Sequence, residues 1–205
     1  MDKAAVIKIF ECWNQIFSKQ QQHLTELDSV GGDGDLGIVM ADGFKELETF
    51  AKGLEEENIG KIFYQAGKRL NQVASSSMGT LLSSGFKKIG KVLNNKTTLE
   101  KEDYINIVGA MADGVKEMGG AEEGEKTFLD AIYPAARAMK EKENEDLEVI
   151  LESGAKAAEE GVENAKKMVA KQGRLAFRGE GSIGITDPGS VVALYFVEGI
   201  RDSIK

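Results

Sequence analysis

The chain has 205 residues, of which 41% are apolar and 29% charged, and its formal net charge is −8. This composition is typical of one soluble globular domain, which we predict to span residues 1–205. Because nucleic-acid phosphates are bound mainly by Lys and Arg, the acidic balance argues against nucleic acid as a partner, and no apolar run is long enough to predict a membrane span. A single cysteine, Cys12, and a charged N-terminal segment without a secretory signal favour a cytoplasmic protein.

Apolar residues recur at helical spacing along most of the chain, and no segment predicts a β-strand. The first helix, for example, places Val6, Phe10, Trp13 and Phe17 on one face. Clusters of Gly, Asn, Ser and Asp separate one apolar stripe from the next. The sequence therefore predicts an all-α protein with helices at about 2–22, 36–53, 58–73, 79–93, 101–118, 127–143, 146–171 and 188–204.

Short connections join most of these helices, which favours an up-and-down arrangement of antiparallel neighbours. Three connections are long and rich in glycine, at 23–35, 119–126 and 172–187. In an up-and-down bundle, the connections that follow odd-numbered helices lie at the same end, and the serine-rich turn 75–79 belongs to this set. We therefore expect four loops to meet at one rim of the bundle, where a site would form.

The first long loop places Asp28, Asp33 and Asp35 among several glycines. Hard cations such as Mg²⁺ bind carboxylate oxygens, and glycine lets a short loop turn several carboxylates inward. A calcium-binding EF-hand is excluded, because the twelfth position counted from Asp33 is Phe44 instead of glutamate. The only histidine, His23, excludes a zinc site of several histidines and is expected to be solvated. By spacing alone, a metal loop and a solvated acidic turn remain equally open.

The last long loop ends at Asp187-Pro188-Gly189, immediately before the apolar run of the final helix. An aspartate at the N-cap followed by proline at the first helical position is typical of a helix start, and its free N–H groups can bind an anion. Arg174, earlier in the same loop, is a candidate donor to phosphate oxygens. On these residues alone, helix capping explains the segment without any ligand.

Three segments together resemble the ADP-binding L subunits of phosphoenolpyruvate-dependent dihydroxyacetone kinases, a module that also forms the nucleotide-binding domain of ATP-dependent dihydroxyacetone kinases. They are LTELDSVGGDGDLGIVMADGF, MGGAEEGEKTFLDAIYPA and GRLAFRGEGSIGITDPG. Their order and separations match the family pattern over essentially the whole chain. The resemblance implies a closed barrel of eight antiparallel helices with a nucleotide site at one rim.

The resemblance also implies which residues form that site. Asp28, Asp33 and Asp35 correspond to positions that hold two Mg²⁺ ions on the phosphates of ADP or ATP, which stays bound as a cofactor. Leu36 stands where the family usually has histidine, and Met78 and Gly181 also differ from the family pattern. The positions that correspond to nucleotide contacts are Leu36, Gly37, Ile38, Val39, Ser77, Met78, Gly119, Phe128, Arg174, Asp187, Pro188 and Gly189.

By this resemblance the chain would be the L subunit of a phosphoenolpyruvate–glycerone phosphotransferase, active only with its partner subunits. A phosphohistidine on an M subunit, a protein of the phosphotransferase system, would rephosphorylate bound ADP. The ATP formed would then phosphorylate dihydroxyacetone held by a K subunit in glycerol and dihydroxyacetone catabolism, and no residue of this chain is expected to be catalytic. Two alternatives stay open: a non-catalytic nucleotide-dependent regulator or interaction module, and a subunit of a kinase for another small ketose or polyol. The chain length is compatible with a monomer or a homodimer that docks with its partners.

Overall fold

The computed structural model describes residues 3–205, so residue 2, the predicted start of the first helix, lies outside them. All regular structure in this part of the chain is helical, which confirms the predicted all-α class. It consists of nine α-helices and one 3-10 segment, Arg174–Ser182. The α-helices are α1 (Lys3–Lys19), α2 (Gln21–Ser29), α3 (Leu36–Gly53), α4 (Ile59–Val73), α5 (Ser77–Val92), α6 (Lys101–Gly119), α7 (Leu129–Glu141), α8 (Leu147–Ala165) and α9 (Pro188–Asp202).

Eight of these helices form a closed ring. From α3 to α9 each helix packs against the next one in the chain, α1 packs against α3, and α9 packs back against α1. The predicted barrel of eight antiparallel helices is therefore confirmed. The short helix α2 is an addition to the ring and packs against α3 and α9. None of the helices in residues 3–205 is long and apolar enough to cross a membrane.

A tryptophan joins the first and last helices of the ring. The ring of Trp13 in α1 stacks on that of Phe196 in α9, with 4.5 Å between the centroids, and its indole N–H donates to Phe196 O at 2.7 Å. Any side chain at Gly199 would collide with the indole, so glycine there lets α9 approach α1 closely. Phe10 packs edge-on against the same indole at 5.2 Å. Trp13 is therefore the central contact that closes the barrel.

We expect Trp13→Phe to lower the free energy of unfolding by about 3 kcal/mol, because the buried hydrogen bond is lost and a void is left beside Phe196. Urea unfolding followed by circular dichroism measures the change. Val92→Ala, at an exposed position of α5, serves as the control. A Trp13→Phe midpoint equal to that of the wild type would contradict the role given to the indole.

The predicted first helix, 2–22, is wrong at its C-terminal end. The chain breaks at Gln20, whose φ and ψ are −97° and 9°, and α2 begins at the next residue. The helical spacing of apolar residues continues through the break, because Leu24 is also buried in the core. The pattern of apolar residues therefore cannot show that the helix axis changes direction. The predicted loop 23–35 is correspondingly too long, since α2 occupies its first half.

The predicted helix 146–171 also ends too late, because α8 stops at Ala165. Beyond this residue the backbone carbonyls bind tertiary partners instead of the next helical turn. Lys166 O, for example, accepts from Gly184 N at 2.7 Å. The predicted loop 172–187 in turn contains the 3-10 segment, which is kinked at Gly179.

Both ends of the described chain lie away from the rim where the long loops meet. The helix α1 runs toward that rim, because it leads through the short helix α2 into the aspartate loop. The helix α9 runs away from the rim, because it starts at the rim residue Asp187. The Lys3 ammonium donates to Leu54 O, at the C-terminal end of α3. The first and last residues of the barrel are therefore on the face opposite the rim.

Candidate functional site

A cavity of about 970 Å³ opens at one end of the barrel. All four of the predicted loops contribute to its walls, which confirms their convergence on one rim. A cavity of this size and a largely apolar lining are typical of a small-molecule site. Twelve of the residues predicted for the site line it: Asp28, Asp33, Asp35, Leu36, Ser77, Met78, Gly119, Phe128, Arg174, Asp187, Pro188 and Gly189.

Three residues predicted for the site do not line this cavity. Gly37 faces α2, where any side chain would collide with Gln21 O. Ile38 is 49% exposed on the outside of the barrel, and Val39 packs against the core. Gly37 thus positions α2 on α3, and a nucleotide contact by these three residues stays a prediction.

The three aspartates form one carboxylate cluster at the mouth of the cavity. One oxygen from each of Asp28, Asp33 and Asp35 lies within 4.8 Å of the others. Asp28, in the last turn of α2, also organises the loop, because its Oδ2 accepts from Gly34 N at 2.9 Å and from Leu36 N at 3.4 Å. Gly34 has a φ of 75°, which favours glycine. The loop therefore gathers three oxygen ligands of the kind that Mg²⁺ prefers.

The charge of this cluster is partly compensated by Arg174. Its guanidinium donates to Asp33 Oδ2 at 2.6 Å, although both side chains are more than half exposed. Burial raises the pKa of the Asp35 carboxyl, the neighbouring Asp33 and Asp28 raise it further, and Arg174 lowers it. The cluster thus has an excess of negative charge that a divalent cation would neutralise.

The 3-10 segment crosses directly over the aspartate loop. Besides the Arg174 contact, the Arg178 guanidinium donates to Val30 O. Leu175 packs on the same loop, where a Cβ added at Gly31 would lie 2.8 Å from its Cδ1. Two arginines and one leucine therefore hold the segment against the aspartate loop at the cavity mouth.

Asp187 caps the N-terminus of α9 on the inner wall of the cavity. Its Oδ2 accepts from Ser190 N at 2.6 Å, as the sequence predicted for an N-cap. Burial raises the pKa of the Asp187 carboxyl to about 7, the Ser190 N–H lowers it, Asp130 raises it and Lys126 lowers it. The carboxyl is consequently held partly protonated near neutral pH.

The sequence of the chain matches a known protein family directly. The DAK2 domain family matches residues 30–202, which include Asp33 and Asp35, the 3-10 segment and all of α9 but not Asp28. The chain belongs to the DAK2 domain family. This assignment agrees with the resemblance inferred from the three sequence segments.

Several proteins similar to this DAK2 domain are kinase subunits. The ADP-binding subunit DhaL of the PEP-dependent dihydroxyacetone kinase of Escherichia coli is 29% identical over 185 residues, covering 89% of this chain and 88% of that protein. The corresponding subunit of dihydroxyacetone kinase 2 of Listeria innocua is also 29% identical and covers 100% of this chain and 96% of its own. The L-erythrulose 1-kinase of Mycolicibacterium smegmatis is 26% identical, and the present chain spans 33% of its length.

Two solved structures of the dihydroxyacetone kinase of Citrobacter freundii share the DAK2 barrel. The native form is 25% identical with a TM-score of 0.77, and the match covers 98% of this chain and 34% of that one. The complex with AMP-PNP and Mg²⁺ is 27% identical with a TM-score of 0.75, again covering 98% of this chain and 34% of that one. The DAK2 domain thus corresponds to about a third of the longer kinase chain.

Two buried ionic residues, Asp130 and Lys126, were not among the residues predicted for the site, and only Lys126 lines the cavity. Asp130 is 3% exposed and accepts from Gly124 N at 2.5 Å and from Thr127 N at 2.6 Å, so it shapes the turn before α7. Lys126 is 1% exposed and lines the cavity. Both residues lie in the segment MGGAEEGEKTFLDAIYPA, but an acidic stretch followed by lysine is by itself more typical of a solvated surface.

His23 is exposed, as expected, but it is not free of contacts. It lies in α2, and its Nδ1 is 2.7 Å from the hydroxyl oxygen of Tyr195 in α9. The expectation of a merely solvated histidine is therefore wrong in this respect, because the sequence does not show which helix α2 packs against. This bond attaches the helix that carries Asp28 to the helix that Asp187 caps.

The Asp187 carboxyl provides a test of the electrostatics of the site. Because its pKa is raised in the folded state, its contribution to stability is full below its unfolded pKa of about 4 and is lost as the pH rises through about 7. Between pH 5 and pH 8 we expect this carboxyl to lower the free energy of unfolding of the wild type by about 2 kcal/mol. Asp187→Asn keeps the N-cap but cannot titrate, so it should not show this decrease. Urea midpoints of both proteins at the two pH values measure this, and equal pH dependence would contradict it.

Proposed function

We propose that this DAK2 domain, over residues 1–205, binds ADP or ATP with Mg²⁺ as the L subunit of a phosphotransferase-system-dependent dihydroxyacetone kinase. The observation that carries the proposal is the meeting of three carboxylates and an arginine at the mouth of a largely apolar cavity. Two similar proteins are named as ADP-binding subunits, and the C. freundii kinase has been solved with AMP-PNP and Mg²⁺. A cytoplasmic location and the possible homodimer remain predictions.

The residues of the cavity divide into a charged and an apolar part. Asp28, Asp33 and Asp35 would hold Mg²⁺, with two ions expected, which would neutralise phosphate charge when bound. Arg174, which lies beside Asp33, would donate to phosphate oxygens. Met78 and Phe128, on the apolar wall, would pack against the base of the nucleotide.

A cavity with these two parts is suited to transferring phosphoryl groups to and from a bound nucleotide. The transfer would need no general acid or base from this chain. Phosphoryl transfer depends on positioning and on neutralising charge more than on a protein nucleophile. A phosphohistidine of an M subunit would supply the phosphoryl group to bound ADP. The ATP formed would donate it to dihydroxyacetone on a K subunit, so turnover would require both partners.

We expect the purified chain to bind ADP in MgCl₂ and to lose at least about a hundredfold in affinity when EDTA removes the metal, because the carboxylates then repel the phosphates. Isothermal titration calorimetry measures both affinities.

Addition of K and M subunits, phosphoenolpyruvate and the general phosphotransferase proteins should then produce dihydroxyacetone phosphate. Absence of both nucleotide binding and turnover would refute the proposal.

A second candidate is a subunit of a related kinase for another small ketose or polyol, and the match to an L-erythrulose 1-kinase favours it. The sugar would bind to a partner, so the same nucleotide site serves either substrate. Offering dihydroxyacetone and L-erythrulose to the reconstituted system separates the two. Nucleotide binding without turnover on any ketose would instead support a non-catalytic regulator or interaction module.

A further inference from the structure

Lys126 is a buried lysine whose ammonium binds only backbone oxygens. Its side chain is 1% exposed, and Nζ donates to Ser182 O at 2.8 Å and to Lys166 O and Met168 O at 3.3 Å each. Its own backbone has a φ of 62°, a conformation that non-glycine residues adopt rarely. Burial lowers the pKa of this lysine, and the charge of Asp187 raises it. A burial this costly indicates a specific function for the ammonium group.

The three carbonyl oxygens use all three donors of the ammonium. Although Lys126 lines the cavity, it therefore has no N–H left to donate to a phosphate. This separates it from Arg174, whose guanidinium has further donors available beside Asp33. Lys126 acts on the protein rather than on a ligand.

The oxygens bound by Lys126 come from the two ends of one chain segment. Lys166 and Met168 follow the end of α8, whereas Ser182 ends the 3-10 segment. Further bonds join the same two ends: Gly184 N donates to Lys166 O at 2.7 Å, and Ala170 N donates to Ser182 Oγ at 2.9 Å. The ammonium thus lies at the base of the loop formed by residues 166–184.

The tip of this loop carries the residues that contact the aspartate loop. Arg174 donates to Asp33, and Arg178 donates to Val30 O. The position of both guanidinium groups depends on where the two ends of the loop are held. The arginine contacts at the tip are largely exposed, so the buried base supports the direction of the loop in addition to Leu175.

We propose that Lys126 is a positioning residue that clamps the base of the 166–184 loop and thereby directs Arg174 toward the metal and phosphate site. Its effect on a nucleotide rests on the proposed function, whereas its effect on the loop does not. Lys126 therefore determines affinity through Arg174 and without touching the ligand.

Hydrogen exchange tests the clamp in the absence of any ligand. We expect Lys126→Met, which keeps the length of the side chain and removes its donors, to increase the exchange rates of Ala170 N and Gly184 N by at least about tenfold. Amides in α1 and α4 should keep the wild-type rates. Lys91→Met, an exposed lysine of α5, is the matched control. Unchanged exchange in residues 166–184 would overturn the clamp.

A double-mutant cycle tests the action through Arg174. Arg174→Gln should weaken ADP binding in MgCl₂ strongly in the wild type, but less than about threefold when Lys126→Met is already present. Ile62→Val, a core change in α4, serves as a destabilised background in which the full Arg174→Gln effect should persist. Equal losses in both lysine backgrounds would overturn positioning through Arg174. If wild-type protein binds no ADP, the proposed function fails, while the exchange experiment still decides the clamp.

Discussion

Replacing Asp33 with alanine is expected to abolish magnesium-dependent ADP binding while leaving the helical content unchanged. Asp33 supplies one of the three clustered carboxylates, and its side chain is 52% exposed with Arg174 as its ion-pair partner. Its removal should therefore cost little stability, since exposed ion pairs contribute little. Loss of one of three carboxylate ligands should weaken nucleotide binding in MgCl₂ by about a hundredfold or more.

Titration calorimetry with ADP in MgCl₂, together with circular dichroism, measures this result. Asp42→Ala, at an exposed position farther along α3, is the matched control and should bind as the wild type does. Asp28 is a poorer choice for the same test, because it also accepts the N–H groups of Gly34 and Leu36. Undiminished ADP binding by Asp33→Ala would refute the assignment of the metal site.

Arg174→Gln is expected to change the affinities for a divalent ion and for ADP in opposite directions. The guanidinium compensates the negative charge of Asp33, so its removal should raise the affinity for a divalent ion offered alone. The same change removes a charged donor to phosphate, which should weaken ADP binding in MgCl₂ by about ten- to a hundredfold. The arginine therefore competes with the metal for one carboxylate and cooperates with it in binding phosphate.

Mn²⁺ binding followed by electron paramagnetic resonance measures the first effect, and calorimetry with ADP measures the second. Arg69→Gln is the control, since Arg69 in α4 forms an ion pair with Glu46 and does not line the cavity. Parallel changes in the two affinities would contradict the competition between Arg174 and the metal. They would point instead to a general loss of structure in the loop.

Local patterns in the sequence predict most of the barrel. Apolar stripes such as that of Val6, Phe10, Trp13 and Phe17 belong to the ring helices, and glycine-rich segments mark the loops at the rim. The N-cap at Asp187 also follows from local chemistry alone, because aspartate followed by proline favours a helix start in almost any context. Features that depend on spacing along one helix or on one cap are therefore predictable.

Features that depend on tertiary contacts were not predictable. The break at Gln20 leaves the apolar period intact, so only the packing of α2 against Gly37 shows it. Lys126 resembles a surface residue in sequence, because the carbonyls that bind it lie about 40 or more residues away in the chain. Its burial depends on the end of α8 and on the 3-10 segment, and neither was predicted correctly.

The location of the chain ends has a consequence for fusion to other domains. Lys3 and the end of α9 lie on the face opposite the cavity, so a polypeptide joined at either end would start far from the aspartate loop. A covalent linker could therefore tether this barrel to a second protein without obstructing the cavity mouth. Such an architecture allows the barrel to exist both as a separate subunit and as a module of a longer chain, as in the C. freundii kinase, where it matches 34% of the length.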